Sequence, residues 1–535
     1  MRSKKAIINI ISTLVLQIVT IICGFIVPKL IIGTFGSSVN GLLTSITQFL
    51  GYITLLESGF GPVVKSILYK PIANGDKSEI IKILKASERF FRMISYIFII
   101  YILILCIALP LILSKEFNRV FTLSLVVIIS ISIFAEYYFG MTYKLYLQAE
   151  QKTYITSIIQ IGTLILNTIM IILLIHIGAN IQVVKLVSAS IFIFRPIMQN
   201  LYVKKKYKIE LNNVDSDYRI KQKWDGLAQH IASVVHNNTD IIVLTLFSNT
   251  TEISVYSVYL MIVNGVKNLI QAFTGGIDAS FGDMIAKGEQ ENLNISFKIY
   301  EDFYFTVSTI VCTSALFLIL PFVRVYTCGI TDAEYIRPMF SYFIVLAEFL
   351  WVIRLPYSSI TLAAGHFKET RNGAILEAFC NIVISVVLVW NLGIIGVAMG
   401  TLVAMFIRTI EFMFHTSKYI LNRSFFYTLK KLLVIALEVC IVAIVLNVIP
   451  SVNVSNYLMW GEQATIVTLI TSIVVISINS LVYKENLKNI ITILKKFIKR
   501  SKWYEEISCN RWGWIYRVQY MWKIDKKRQY GHCNW

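Results

Sequence analysis

Fourteen stretches of this chain each run for roughly 20 mostly apolar residues, the length a helix needs to cross a bilayer. They cover about 6–33, 39–62, 91–113, 119–143, 154–177, 180–203, 226–247, 253–282, 302–323, 338–363, 372–391, 393–417, 430–449 and 463–483. Inside hydrocarbon each backbone N–H and C=O must be paired within the protein, and an α-helix does this by itself. The expected fold is therefore an all-α polytopic membrane protein. The clearest spans are Ile97–Leu113, Ile158–Ile175 and Leu432–Val448. The seventh is the weakest, because Gln229, His230, His236, Asn237, Asn238 and Asp240 dilute it. The first follows Arg2, Lys4 and Lys5, lacks a small-residue cleavage site and is too long for a signal-peptide core. It reads as a retained helix.

The cations fix an orientation. With an even number of spans, both termini share one side. Forty of the 50 Lys and Arg residues fall on that side, and only Lys115, Arg119, Arg324 and Arg337 on the other. By the positive-inside rule the crowded side is the cytoplasm. The expected location is the cytoplasmic membrane, with both termini inside the cell.

A net charge of +19 taken alone would suggest nucleic acid. The chain is 56% hydrophobic and only 15% charged, against about 25% charged in soluble domains. That excludes a soluble nucleic-acid binder and a disordered chain alike. No CxxC occurs and no His or Cys spacing fits a metal, so the eight cysteines form no framework. No Gly-rich phosphate loop or nucleophile motif appears. Asp332 and Glu334 in the longest outer loop form no recognisable catalytic site.

The chain also resembles itself at an offset near 214. Lys70-Pro71-Ile72-Ala73-Asn74-Gly75-Asp76 answers Asp283-Met284-Ile285-Ala286-Lys287-Gly288-Glu289. Glu88, Phe90 and Ser95 meet Glu301, Phe303 and Ser308, and Arg195 meets Arg408. Leu147-Gln148-Ala149 answers Leu362-Ala363-Ala364. Six spans per repeat give two halves of like orientation, as in transporters whose halves rock about a central site. The expected organisation is a six-helix lobe over 1–203, a cytoplasmic linker over 204–225 and a second six-helix lobe over 226–425. Two extra helices over 426–485 and a basic tail over 486–535 complete it.

Three stretches carry a family resemblance. One is Val27-Pro28-Lys29-Leu30 through Gly36, then Val39-Asn40-Gly41-Leu42, with Gly59-Phe60-Gly61 closing the second span. The second is Asn238-Thr239-Asp240-Ile241-Ile242, followed by Val255-Tyr256-Ser257. The third is the pair of polar repeat motifs given above. Over roughly 1–485 the chain resembles the Wzx-type oligosaccharide flippases of the multidrug/oligosaccharidyl-lipid/polysaccharide (MATE-like) exporter superfamily. Fourteen spans, rather than twelve, also resemble the lipid II flippase branch. The resemblance implies a V-shaped pair of six-helix lobes, a central cavity and alternating access. It implies export of an undecaprenyl-diphosphate-linked glycan for cell-surface polysaccharide, and no enzymatic activity.

Candidate site residues follow from cost. An ionisable group in the bilayer costs about 2.5–3.5 kcal/mol on insertion scales, so it usually faces a cavity or a partner. Lys267, Arg354, Arg195 and Arg408 sit deep in their spans, while Lys29 and Lys185 lie nearer the ends and can snorkel. Lys267, Arg354, Arg195, Arg408 and Lys29 are the substrate-binding candidates, since Arg and Lys suit phosphate oxygens. The competing role is pairing with a membrane acid. Glu411 is three residues beyond Arg408, and Glu348, Glu377 and Asp278 are available to the others. For ion coupling the candidates are Asp240 and His236, one helical turn apart. Gly275-Gly276 is expected to interrupt the eighth span, and Pro356 to kink the tenth.

No cofactor is expected beyond a proton or sodium gradient for coupling. Expected partners are the lipid-linked oligosaccharide, membrane lipids, a polysaccharide polymerase and glycosyltransferases. The stretch Asn486–Lys502 reads as a basic amphipathic helix for the anionic leaflet, and the Trp-rich residues 503–535 carry no assigned role. Two other readings stay open. One is a cation-coupled multidrug or small-molecule exporter of the same fold; the other is a membrane polymerase or ligase of surface polysaccharide.

Overall fold

The computed structural model describes residues 2–57, 59–208, 227–271, 277–448 and 454–482. The tail and most of the 204–225 connection, with the Gly275-Gly276 pair, lie outside the described residues. All described regular structure is helical. In the first half run α1 (Arg2–Phe35), α2 (Ser37–Gly51), α3 (Thr54–Glu57), α4 (Phe60–Asn74), α5 (Lys77–Ile112), α6 (Arg119–Ala135), α7 (Met141–Ala149), α8 (Thr153–His176) and α9 (Ile181–Tyr207). In the second run α10 (Leu227–Phe247), α11 (Thr250–Gln271), α12 (Ile277–Ala286), α13 (Gln290–Tyr326), α14 (Pro338–Ala363), α15 (Arg371–Leu392) and α16 (Ile394–His415). The last two are α17 (Phe425–Val448) and α18 (Tyr457–Val482).

Among the described residues, thirteen helical segments are long and apolar enough to cross a membrane, and the chain is a multi-pass membrane protein. The seventh expected span is present as α10, but only its Asn238–Phe247 part qualifies, as a shorter apolar helix. Large apolar side chains point outward, as lipid requires. Ile10, Leu14, Ile18 and Ile22 form one exposed stripe along α1 at four-residue spacing.

Several boundaries differ from expectation for physical reasons. The third span begins at Lys77, not near 91, because Asp76 caps the helix by accepting from the Glu79 N–H at 3.0 Å. The ninth begins at Gln290 rather than 302. Both carry an amphipathic polar extension that an apolar criterion does not see. The second span is broken into α2 and the single turn α3, with Gly59 in a left-handed conformation (φ 77°) before α4.

The apolar core falls into three clusters. One is built wholly from residues between Ile31 and Val203. The other two draw on residues from Ile241 to Ile435, joined by Ile32 from the first half, with Phe25 packed against one of them.

The two halves meet along α2 and α11, at the end of the bundle that carries Lys115, Arg119, Arg324 and Arg337. A Cβ at Gly41 would run into the backbone carbonyl of Thr250, so only glycine permits this approach. Asn40 Nδ2 donates to the Ser254 and Ser257 hydroxyls at 2.9 and 3.2 Å. Thr245 donates to Ser45 at 2.9 Å.

Two carboxylates close this seam. Asp332 accepts from the Ser37 N–H at 2.6 Å and from its hydroxyl at 2.7 Å, at the first residue of α2. Glu116 accepts from the Thr250 N–H at 3.0 Å and closely from its hydroxyl, at the first residue of α11. Helix starts expose unpaired N–H groups and the positive end of the helix dipole, so an acid there is stabilising. Each half thus supplies the acid that caps a helix of the other.

Candidate functional site

Below this seam lies a cavity of about 300 Å³. Gln48 reaches it from α2, and Asn238 and Asp240 from α10. Tyr256, Asn264 and Lys267 line it from α11, Glu348 from α14 and Thr401 from α16. The wall is therefore built from the second half, with Gln48 contributed by the first.

Asp240 is buried, 7% exposed. Its carboxylate accepts from the Tyr256 hydroxyl at 2.5 Å, the Thr401 hydroxyl at 2.7 Å and the Asn381 amide at 3.3 Å. These donors come from α11, α16 and α15, so this one acid gathers three helices. Lys267 is also buried. Its ammonium lies 3.0 Å from Glu348 and 4.4 Å from the centre of the Trp351 ring.

Arg354 and Arg408 stand together but apart from the residues lining this cavity. Glu377 on α15 joins them, accepting from Arg354 Nη1 at 2.8 Å and forming an ion pair with Arg408 Nε at 3.2 Å. Arg408 also makes a close pair with Glu411 and donates to the Thr370 carbonyl at 2.9 Å. The Glu411 carboxylate lies over Gly373, where a Cβ would collide with it. Two cations and two acids thus form a charge-balanced set across α14, α15 and α16.

The remaining candidates are dispersed. Arg195 donates to the Thr163 hydroxyl at 2.6 Å and stacks over Phe192 at 4.2 Å, between α8 and α9. Lys29 donates to the Tyr457 hydroxyl at 2.8 Å and sits over the Tyr326 and Tyr457 rings, tying α1 to α13 and α18. The His236 side chain lies outside the described residues. So the structure joins Lys267 with Asp240, and Arg354 with Arg408, and leaves Arg195 and Lys29 apart.

A further buried charge cluster escaped sequence reasoning. Glu301 on α13 is fully buried and accepts from Lys431 at 2.5 Å and from Arg423 Nη1 at 3.1 Å. The Tyr357 hydroxyl also donates closely to it, and Lys431 pairs closely with Asp302. One signal was available: Glu301 is the repeat counterpart of Glu88. Its partners on α17 and in the preceding loop were not legible.

No family model matches the chain, and no curated protein matches it. Solved structures do. The lipid II flippase MurJ in an inward closed conformation superposes with a TM-score of 0.65 at 16% identity, covering 90% of this chain and 100% of that one. An inward-facing multidrug resistance MATE family transporter of the MOP superfamily gives 0.55 at 12%, covering 76% and 98%. These likenesses show a shared fold.

Proposed function

We propose that this chain is a transporter, not an enzyme, that moves a lipid-linked (undecaprenyl-diphosphate) oligosaccharide from the cytoplasmic to the outer leaflet. The six-helix halves rock as two lobes about the cavity, with both termini in the cytoplasm. The carrying observation is that cavity: polar, lined by the second half with Gln48 from the first, and lying near the reciprocal helix caps that join the halves. A fold shared with the lipid II flippase MurJ supports the reading. In this reading the chain sits in the cytoplasmic membrane beside the polymerase and glycosyltransferases of a surface polysaccharide. The test is flipping in proteoliposomes. A fluorescent undecaprenyl-diphosphate oligosaccharide should become accessible to an external quencher only when the protein is present.

Asp240 is the proposed coupling acid, because it touches the cavity and three helices at once. Asp240→Asn should leave protein level near normal and lower the gradient-driven flipping rate by roughly tenfold or more, the scale of a lost charge-assisted contact. A rate that still responds fully to the imposed proton or sodium gradient would remove Asp240 from this role. The second reading, a cation-coupled small-molecule exporter, draws on the cavity's surplus of acids. Uptake of a lipophilic cation into inverted vesicles separates it from the first.

A further inference from the structure

Three of the cations expected to grip phosphate, Lys267, Arg354 and Arg408, are already paired with acids, and the other two, Arg195 and Lys29, lie away from this cavity. Lys267 faces Glu348 at 3.0 Å, and Asp240 adds a second carboxylate to the same wall. Formally the cavity holds two acids and one base. A diphosphate entering it would meet a net negative lining. It would also have to separate a buried ion pair, and stripping one partner from such a pair is strongly unfavourable. The other polar groups are uncharged. Gln48 and Asn264 line the cavity and make no side-chain hydrogen bond among the described residues. A carboxamide offers two donors and an accepting oxygen, the complement of a sugar hydroxyl. A volume of about 300 Å³ stands at the small end of ligand pockets, enough for a short sugar segment.

We infer that this cavity receives the hydroxyl-rich, non-anionic sugar of the cargo and not its diphosphate, with Glu348 setting that preference by neutralising Lys267. The inference rests on the reading of the chain as a glycan-lipid transporter. Gln48 and Asn264 then contact sugar hydroxyls, and Glu348 is the specificity-determining residue. The diphosphate is held outside this cavity.

Two binding measurements on the full-length purified protein test it. In the first, inorganic pyrophosphate is titrated. Wild type should show no saturable binding, and Glu348→Gln should gain it by roughly tenfold or more, the size of one charge-assisted contact. Adding Lys267→Met to Glu348→Gln should remove the gain. Wild-type pyrophosphate binding that Lys267→Met abolishes overturns the inference and leaves the transporter reading standing. In the second, a panel of neutral disaccharides is scanned by saturation-transfer NMR. At least one should give a signal that Gln48→Leu and Asn264→Leu each weaken. No signal across the panel overturns the inference. If tetraphenylphosphonium binds in the sugars' place, the glycan-transport reading falls with it.

Discussion

Glu301→Ala is expected to destabilise the detergent-purified protein by about 3–5 kcal/mol, the cost of breaking a buried ion pair by removing one partner. The side chain is fully buried and accepts from Lys431, Arg423 and Tyr357. After its removal Lys431 keeps Asp302, but Arg423 loses its acid in a half-buried site. Water cannot replace that acid as it would on an open surface. Tyr357→Phe is the control: it deletes one hydrogen bond and leaves every charge paired, for about 1 kcal/mol. Thermal unfolding and the amount of protein in the membrane both read the effect. Equal melting temperatures for the two variants would show that the cluster contributes little. The cluster joins α13 to α17, so its loss should also raise cleavage by added protease in the short connection 421–424 that precedes α17.

Glu116→Gln combined with Asp332→Asn is expected to open the seam between the halves. Each carboxylate caps a helix start of the opposite half, and a hydrogen bond to a charged group contributes about 1.5–3 kcal/mol. Each amide keeps one weaker acceptor, so the pair should shift the closed-to-open balance by roughly 10- to 100-fold, about 1.4 kcal/mol per decade. Ser45→Cys serves as the reporter, since Ser45 is fully buried in the seam and cysteine is close to serine in size. Cys328 and Cys440, which are exposed, are replaced by serine in every background. The rate of labelling by an impermeant maleimide from the outer side should rise by that factor in the double variant. Flipping should fall, because a transporter that rests open on one side rarely reloads on the other. Unchanged labelling would show that Gly41 and its neighbours hold the seam without the caps.

The sequence showed which segments are helical far better than where they end. Membrane helices announce themselves through apolar length, a one-dimensional property. The starts of α5 and α13 were misplaced because their first turns are amphipathic and leave the apolar window. The same division holds at the site. Arg408 with Glu411 was legible, since three residues on a helix is a fixed geometry. Glu348 and Glu377 were legible only as available acids. Lys267 and Glu348 lie 81 residues apart, and only packing could pair them. The caps were invisible for the same reason: Asp332 reaches Ser37 over 295 residues, and Glu116 reaches Thr250 over 134. Asp240 was legible from its place in the family-like stretch Asn238-Thr239-Asp240-Ile241-Ile242. The three donors that hold it were not.

The reciprocal caps have one more consequence, which concerns origin. Ser37 and Thr250 lie 213 positions apart, and Glu116 and Asp332 lie 216 apart, so both members of each pair sit at the spacing of the internal repeat. In an isologous interface the same patch appears on both partners, and each contact is made twice. The seam obeys that rule inside a single chain. Each half carries both the acid and the helix start that needs it, so it is complementary to a second copy of itself. A lone half would need no other partner to bury this edge, and a change in the acid would have weakened two contacts at once.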